Sequence, residues 1–360
     1  MGGVDTVPGD YPGISPVISG THKTKKVLSM TQHILGHKVC THNNSLANLR
    51  RGVGERVLFR DRKLTLPVQP KEGIFTERLA SYRDALLKAI GHQSPVARDI
   101  FPSYYKGPRR LIYQKAVDSL SIKAVSPRDA TLKTFVKAEK LNFDVKNDPA
   151  PRVIQPRDPR YNVEVGRYLR PIEHTVYEAL DNLFNAPTVM SPYNAYTTAR
   201  ILKDKWDKFS RPVCVGMDAS RFDQHVSRQA LRFEHSIYNS IFKSRELSTL
   251  LKWQLNNRGV ARASDGWFVY NVKGSRMSGD MNTSMGNKIL MCLMSISYLD
   301  SLQIPYQFAN NGDDCLIFTE TKYLKKLRTI NDYFRDFGFD VVCEDPVYDF
   351  EAIEFCQTKP

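Results

Sequence analysis

The sequence predicts an α+β fold in which helices back an antiparallel sheet. The first half of the chain is basic and rich in helical and loop patterns, whereas short apolar strands that end in polar residues begin at residue 211. A strand, a turn and a second strand follow one another over residues 306–320. Residues 281–302 are apolar on most sides, which indicates a buried helix. The 360 residues are enough for two or three domain-sized units.

The elements of the first half follow from its apolar spacing. Residues 1–25 are rich in Gly, Pro, Ser and Thr, which predicts irregular structure. The regular elements that follow are helices at residues 75–90, 109–120 and 165–184 and a basic extended strand at residues 131–140. Because proline cannot donate a helical hydrogen bond, Pro171 predicts a bend in the third helix.

The second half alternates strands and helices. Its predicted strands lie at residues 213–217, 266–274, 306–320 with a central turn, 339–345 and 352–360. Its predicted helices lie at residues 228–242, 281–302 and 323–338, and Gly338 marks the end of the last one. No apolar run reaches eighteen residues, so a membrane span within this chain is not expected.

Charge is distributed unevenly along the chain, whose net charge is +14. Residues 1–110 hold 18 Lys and Arg against 8 Asp and Glu, a balance of +10, whereas residues 301–360 hold 6 against 11, a balance of −5. A basic excess of this size favours nucleic acid as a partner, and concentrated carboxylates are typical of divalent-metal sites. The six cysteines lack zinc-binding spacing, which indicates reduced thiols in a cytosolic protein.

Two pairs of carboxylates follow apolar strands. Asp218 and Asp223 come after the strand at residues 213–217, and Asp313 and Asp314 lie at the tip of the predicted hairpin. Two such strand ends placed side by side concentrate negative charge. The carboxylates then repel one another unless cations bind between them. Oxygen ligands of this kind select Mg²⁺ or Mn²⁺, and two such ions promote phosphoryl transfer. The alternatives are helix capping for the first pair and solvated turn residues for the second.

Polar residues between the two acidic pairs suggest contacts to a nucleotide. Ser278 and Gly279 occupy a loop in which glycine permits backbone conformations closed to other residues. Thr283 and Asn287 are four residues apart, so they share one face of the next helix. They suit hydrogen bonding to a sugar hydroxyl, and the alternative is that they bond the helix backbone.

Basic residues upstream flank a loop rich in Pro and Asn. The basic residues before this loop are Lys133, Lys137 and Lys140, and those after it are Arg152 and Arg157. Arg152 alternates with the apolar Val153 and Ile154, as expected of a strand with one face on the core and one on a channel. Arginine and lysine in this arrangement suit the triphosphate of an incoming nucleotide, and ordinary surface charge is the alternative.

Five segments in a fixed order resemble the RNA-dependent RNA polymerases of positive-strand RNA viruses, most closely the tombusvirus-like plant virus group. The segments are "VKAEK" with "PRVIQPRDPRYNVEVGRYLRPIE", then "GMDASRFDQHV", "SGDMNTSMGNK", "NGDDCLIF" and "EFCQTKP". A GDD tripeptide alone is weak evidence, but five segments with the expected order and spacing are specific. The resemblance covers roughly residues 70–360.

The resemblance implies a right-hand fold of fingers, palm and thumb. The expected divisions are a basic amino-terminal or fingertip region at residues 1–70, fingers at 71–210, palm at 211–230, a return to the fingers at 231–274 and palm again at 275–360. Family members continue into a helical thumb after the last of these segments, so we expect the thumb to be missing from this chain.

The resemblance also assigns catalytic roles. Asp218 and Asp313 are expected to coordinate two Mg²⁺ ions, with Asp314 assisting and Mn²⁺ as an alternative metal. The ribose 2′-hydroxyl is expected to be recognised by Asp223, Thr283 and Asn287.

Contacts to template and triphosphate follow from the same resemblance. Ser278 and Gly279 are expected to contact the template and to allow translocation. Arg152 is the expected triphosphate ligand, with Lys140 and Arg157 behind it. The implied partners are template RNA, nascent RNA, NTPs and other viral replication proteins, in membrane-associated complexes of the host cytoplasm.

Several alternatives stay open in the sequence. A reverse transcriptase or another palm-type nucleotidyltransferase would share the acidic motifs, and a non-catalytic RNA-binding scaffold would share the basic surface. In the family that the chain resembles, the helix after the hairpin often supplies a lysine as general acid. The nearest residue here is Arg335, and arginine rarely releases a proton. Residues 1–6 also fit the N-myristoylation pattern at Gly2.

Overall fold

The computed structural model describes residues 11–19, 27–29, 39–142 and 148–359. The helices in these ranges are α1 Leu46–Val53, α2 Ile74–Ile90, α3 Gly107–Ile122, α4 Pro159–Leu169, α5 Glu173–Phe184, α6 Ala195–Trp206, α7 Phe222–His225, α8 Arg228–Phe242, α9 Arg245–Lys252, α10 Thr283–Ser301 and α11 Ile330–Asp336. The strands are β1 Val17–Ile18, β2 Val27–Ser29, β3 Val39–His42, β4 Leu132–Val136, β5 Leu141–Asn142, β6 Val153–Ile154, β7 Pro212–Ala219, β8 Asn256–Ala263, β9 Gly266–Lys273, β10 Tyr306–Asn311, β11 Asp314–Glu320 and β12 Val341–Cys343.

The strands form three sheets. A four-stranded sheet has the order β10–β11–β7–β12, and each neighbouring pair in it is antiparallel. A five-stranded sheet has the order β1–β9–β8–β4–β6 and contains one parallel pair, β4 with β8. The short strands β2, β3 and β5 form a third sheet. This architecture confirms the predicted α+β class and the antiparallel sheet of the second half.

Helix α10 lies in the main hydrophobic core. All residues from Met285 to Leu299 are buried, as expected of a helix that is apolar on most sides. It packs against β10 and against the helices α2, α5 and α8. The four-stranded sheet is thereby held from one side, which fixes the strand ends that carry the acidic residues.

Three element predictions need correction. The predicted helix at residues 165–184 is two helices, α4 and α5, because Pro171 falls in the break between them and Asp158 already caps a helix that starts at Pro159. The predicted helix at 323–338 is a 3₁₀ segment, Thr321–Thr329, followed by the short α11. The predicted strand at 352–360 is reduced to a bridge between Phe355 and Thr358. Four helices were not predicted: α1, α6, α7 and α9.

Two predictions concerned membranes. The myristoylation pattern at residues 1–6 lies outside the described residues. Among the helices that the structure describes, none combines the length and the apolar character needed to cross a bilayer.

Candidate active site

The hairpin β10–β11 places two acids at one edge of the four-stranded sheet. Its turn consists of Gly312 and Asp313, and Gly312 has a φ of +84°, which glycine adopts without strain. The fully buried Asn310 braces the turn, since its Nδ2 donates to the Gly312 carbonyl at 2.7 Å and its Oδ1 accepts from the Gly312 amide at 3.2 Å. The sequence predicted the hairpin but not this brace.

Strand pairing brings the first acidic pair to the same edge. Met217 of β7 pairs with Cys315 of β11, so the next residues outward are Asp218 and Asp314. The side chains of Asp218, Asp313 and Asp314 are exposed at this edge. Glu344 joins them, because its amide donates to the Gly216 carbonyl at 2.9 Å. Sequence reasoning missed Glu344, since only the pairing of β12 with β7 places it there.

The carboxylates repel one another. The Asp314 side chain is exposed overall, but partial burial of its carboxyl raises its pKa, and the nearby charges of Asp313 and Asp218 raise it further. Burial also raises the pKa of Glu344, with Asp218 and Asp314 adding to the shift. A repelling cluster of oxygen donors fits a hard divalent cation chemically. Within the described residues, however, no three His, Cys, Asp or Glu side chains converge as metal ligands do.

A cavity of about 530 Å³ opens beside the carboxylates. Its walls carry both signs of charge: the acids are Asp218, Asp223 and Asp313, and the bases with accessible side chains are Arg56, Lys137, Arg152 and Arg221. The arrangement can hold a ligand that carries negative charge at one end and presents a reacting group to the carboxylates at the other.

Asp223 is held by an amide on α10. Asn287 Nδ2 donates to Asp223 Oδ1 at 2.8 Å. Burial raises the pKa of Asp223 and Asp313 adds to this, while Asn287 and Arg276 oppose the shift. Asp223 lines the cavity, but the buried Asn287 is not among its lining residues. Thr283, which was predicted to act with this pair, does not bond to either residue here. Its hydroxyl donates to the Met277 carbonyl at 2.7 Å.

The loop Ser278–Gly279 lies between two cavities. Ser278 lines the first cavity and also a second one of about 440 Å³, and its Oγ accepts from the Gln155 amide at 3.2 Å. An added Cβ at Gly279 would lie 2.5 Å from Pro156 Cα and 2.8 Å from the Gln155 carbonyl oxygen. The glycine is therefore required by close backbone approach, and not by the positive φ that the sequence suggested.

The lining of the second cavity includes two aromatic rings, two bases and two acids: Tyr105, Tyr113, Arg109, Arg170, Glu173 and Asp280. The guanidinium of Arg109 lies 5.1 Å from the ring centre of Tyr105, and Arg170, which forms an ion pair with Glu173, lines the same cavity. Thr283 lies on this side as well, together with Gly279. An aromatic ring beside arginines can stack a base and neutralise a phosphate.

Residues 15–360 match the family model described as viral RNA dependent RNA polymerase. The chain belongs to this family. It is 51% identical over 322 residues to the RNA-directed RNA polymerase of Turnip crinkle virus. The aligned residues cover 89% of this chain and 41% of that protein. The corresponding protein of Tobacco necrosis virus (strain A) is 48% identical over 357 residues, covering 98% of this chain and 49% of the relative.

The RNA-directed RNA polymerase of Cucumber necrosis virus is 47% identical over 324 residues, covering 89% of this chain and 39% of that protein. The chain thus spans about two-fifths to one-half of the length of these three relatives. The comparisons confirm the family that the five sequence segments indicated.

The basic residues of this family member differ in part from the predicted set. Arg152 lines the first cavity as expected, although its Nη1 also lies 3.2 Å from Glu139. Lys140 is exposed and is not among the residues that line that cavity. Arg157 is buried, and its donors are taken by Asp280, by Asn257 and by a backbone carbonyl. A triphosphate ligand needs free donors, so Arg157 is not included in the triphosphate site proposed below.

Three other bases line the cavity instead. Lys137 was among the basic residues noted in the sequence, and it lies beside Arg152, because its backbone amide donates to the Arg152 carbonyl at 2.8 Å. Arg221 separates Asp218 from Asp223. Arg56 had no local signal, because it reaches the site from a distant segment.

Arg335, the nearest candidate for a general acid, remains on the surface. Its side chain is 55% exposed, and its Nε lies 3.8 Å from Asp340 Oδ1. It is not among the residues that line the first cavity.

Proposed function

We propose that this chain carries out RNA-templated RNA synthesis, by nucleotidyl transfer to a 3′-hydroxyl, for viral genome replication. The observation that carries the proposal is the cavity in which carboxylates at strand ends face a set of bases, in a chain of this family. The substrates are template RNA, nascent RNA and NTPs. The proposal also includes other viral replication proteins as partners, in membrane-associated complexes of the host cytoplasm.

The domain assignment expected from the sequence is retained as part of this proposal. The strands of the four-stranded sheet come from residues 211–230 and 275–360, the two segments assigned to the palm. The five-stranded sheet combines strands of the first half with β8 and β9, which supports a return of the chain to the fingers at residues 231–274. Residues 1–70 form the fingertip region of the proposal.

The carboxylates are assigned to metal binding. Asp218 and Asp313 would hold two Mg²⁺ ions, or Mn²⁺, with Asp314 assisting, because they are exposed oxygen donors at one sheet edge. Bound metal lowers the pKa of a primer 3′-hydroxyl and stabilises the leaving pyrophosphate. Asn310 keeps Asp313 in place through the bonds that brace the turn.

The bases of the cavity are assigned to the triphosphate. Arg152, Lys137, Arg56 and Arg221 line the wall that such a ligand would meet. Arg56 has a pKa lowered to about 10, first by burial and then by Arg221 and Arg152. A site whose cations repel one another in this way gains stability when an anion binds.

Asp223 is assigned to the ribose 2′-hydroxyl, with Asn287 behind it. Asp223 faces the cavity and accepts a hydrogen bond from Asn287, so the amide acts through the carboxylate. Single-stranded template is assigned to the second cavity, where Tyr105 and Arg109 lie, with Ser278 between template and nucleotide.

The test is RNA synthesis by the Asp313→Ala variant. Asp313 is an exposed turn residue, so its loss should leave folding and RNA binding unchanged. Primer extension should fall by more than the roughly 10–100-fold typical of outer-shell metal partners. The matched control is Asp332→Ala, which removes an exposed acid on α11.

Three results would contradict the proposal. Unchanged extension by Asp313→Ala would remove the metal role. A preference of the wild-type chain for dNTPs over NTPs would favour a reverse transcriptase. If the wild-type chain made no RNA and Asp313→Ala affected RNA binding alone, the non-catalytic scaffold would be favoured.

A further inference from the structure

A buried arginine lies directly behind the pair Asp223–Asn287. Arg276 is 1% exposed and is among the largest fully buried side chains of the described residues. Its Nη2 forms an ion pair with Glu234 of α8, and neither side chain is accessible to solvent. Burying two charges costs free energy unless both are fully hydrogen-bonded. A buried pair at this position therefore indicates a structural or functional role.

Arg276, Asn287 and Asp223 form a closed ring of hydrogen bonds. The Arg276 amide donates to the Asp223 carbonyl at 2.8 Å. Its Nε donates to Asn287 Oδ1 at 2.9 Å, and Asn287 Nδ2 donates to Asp223 Oδ1 at 2.8 Å. One residue therefore fixes the backbone of Asp223 and, through Asn287, its carboxylate.

The ring also determines which way the Asn287 amide points. An asparagine side chain offers an acceptor on one side and donors on the other. Because the guanidinium of Arg276 can only donate, it must meet the Asn287 oxygen. The amide nitrogen is then turned toward Asp223. A flipped amide would set its nitrogen against a cation and its oxygen against a carboxylate.

Glu234 holds the guanidinium in this position. It accepts from Arg276 Nη1 at 3.2 Å, from Asn282 Nδ2 at 2.7 Å and from the Tyr238 hydroxyl at 2.9 Å. Burial alone raises the pKa of Glu234, but the charge and hydrogen bonds of Arg276 outweigh burial and lower it, so the carboxylate stays ionised. Gly286 leaves room for the pair, since an added Cβ would meet Glu234 Oε1 and lie 2.6 Å from Arg276 Nη2.

We infer that Arg276, held by Glu234, is a positioning residue for ribose selection: it acts through Asn287 to orient Asp223 toward the 2′-hydroxyl of the incoming nucleotide. The inference rests on the proposed function, which assigns Asp223 to that hydroxyl. Arg276 does not touch a substrate directly, because its side chain is inaccessible to solvent and each of its side-chain nitrogens donates to Asn287 or Glu234.

The test is the Arg276→Lys variant. Lysine keeps the charge but cannot bond Glu234 and Asn287 with a planar fork. The ratio of kcat/KM for NTP to that for the matching dNTP should fall about tenfold, as expected for the loss of one positioned hydrogen bond. The equilibrium binding ratio of the same two nucleotides to the purified chain should fall in parallel.

The matched control is Arg157→Lys. Arg157 and Asp280 form a second buried pair, with side chains 1% and 2% exposed, and Arg157 does not bond Asn287 or Asp223. Its variant should lose stability without losing ribose selectivity. Equal loss of selectivity in both variants would show a general softening of the fold and would overturn the inference.

A double-mutant cycle separates positioning from simple stability. In the Asn287→Ala background, Arg276→Lys should cost no further selectivity, because its route to Asp223 is already cut. Additive losses would overturn the inference.

If Arg276→Lys does not fold, Gly286→Ala displaces the same pair while it retains both charges and favours the helix. Gly286→Ala should give the same loss of selectivity, and unchanged selectivity in that variant would overturn the inference.

Failure of the proposed function looks different. If neither Asp223→Ala nor Asn287→Ala changes the NTP to dNTP ratio, ribose reading by this pair is wrong. If both change the ratio and Arg276→Lys does not, the pair reads ribose without help from Arg276, and only the inference fails.

Discussion

At the scale of single residues, the interior of this polymerase-family chain holds charges in two ways. Arg276 and Arg157 are buried against carboxylates, which keeps each charge compensated. Lys205 on α6 is 2% exposed, and its Nζ has no hydrogen-bond partner among the residues that the structure describes. Burial, followed by the charge of Lys208, lowers the pKa of Lys205 to about 8.

Lys205→Met should therefore stabilise the fold. The pKa of Lys205 in the folded chain lies below its ordinary value of 10.5, so the unfolded chain binds more protons between pH 8 and 10.5. The contribution of this group to stability rises with pH across that window, and its cost is fully present below pH 8. At pH 7 the free energy of unfolding should increase by about 1–3 kcal/mol, measured by denaturant titration.

The control for this prediction is Lys203→Met. Lys203 is on the same helix but forms an exposed pair with Asp207, so its loss should cost less than about 0.5 kcal/mol. The advantage of Lys205→Met should shrink as the pH approaches 10.5. A gain that stays constant with pH would mean that packing, and not charge burial, explains it.

At the scale of elements, local patterns predicted what local geometry decides. The hairpin with Gly312 and Asp313 and the buried α10 follow from the spacing of neighbouring residues. Arg56 and Glu344 reach the site through contacts between segments far apart in sequence, which spacing cannot reveal. Arg157 shows the converse: its position in a basic run suggested a ligand, but a distant partner, Asp280, takes its charge.

Gly279→Ala should displace the loop between the two cavities. The added methyl group would meet the backbone of Gln155 and Pro156, which cannot move aside as a flexible side chain can. Ser278→Ala is the comparison, because it removes the bond to the Gln155 amide without adding bulk. Gly279→Ala should lower thermal stability and weaken RNA binding, whereas Ser278→Ala should lower stability by only about 1 kcal/mol.

Calorimetry and fluorescence anisotropy with labelled single-stranded RNA would measure these two effects. If Gly279→Ala and Ser278→Ala behaved alike, the close backbone approach at residue 279 would have no energetic role. The order of the two variants is therefore the informative result, more than the size of either change.

At the scale of the whole molecule, the net charge of +14 predicts that the proposed RNA affinity depends on salt. The charges do not contribute equally, since only bases along the RNA path release counterions from phosphates. Arg109 and Arg170 line the second cavity beside Tyr105. If template follows this cavity, each of these arginines that meets a phosphate adds about 0.7 to the slope of log affinity against log salt for a single strand.

The double variant Arg109→Ala/Arg170→Ala should therefore reduce the steepness of that slope by about 1.4. The variant Lys325→Ala/Arg328→Ala removes the same formal charge from exposed positions in the 3₁₀ segment Thr321–Thr329, which is not among the elements that line either cavity. Its slope should match that of the wild-type chain. Equal changes in both variants would mean that RNA responds to net charge alone, and the assignment of template to the second cavity would fail.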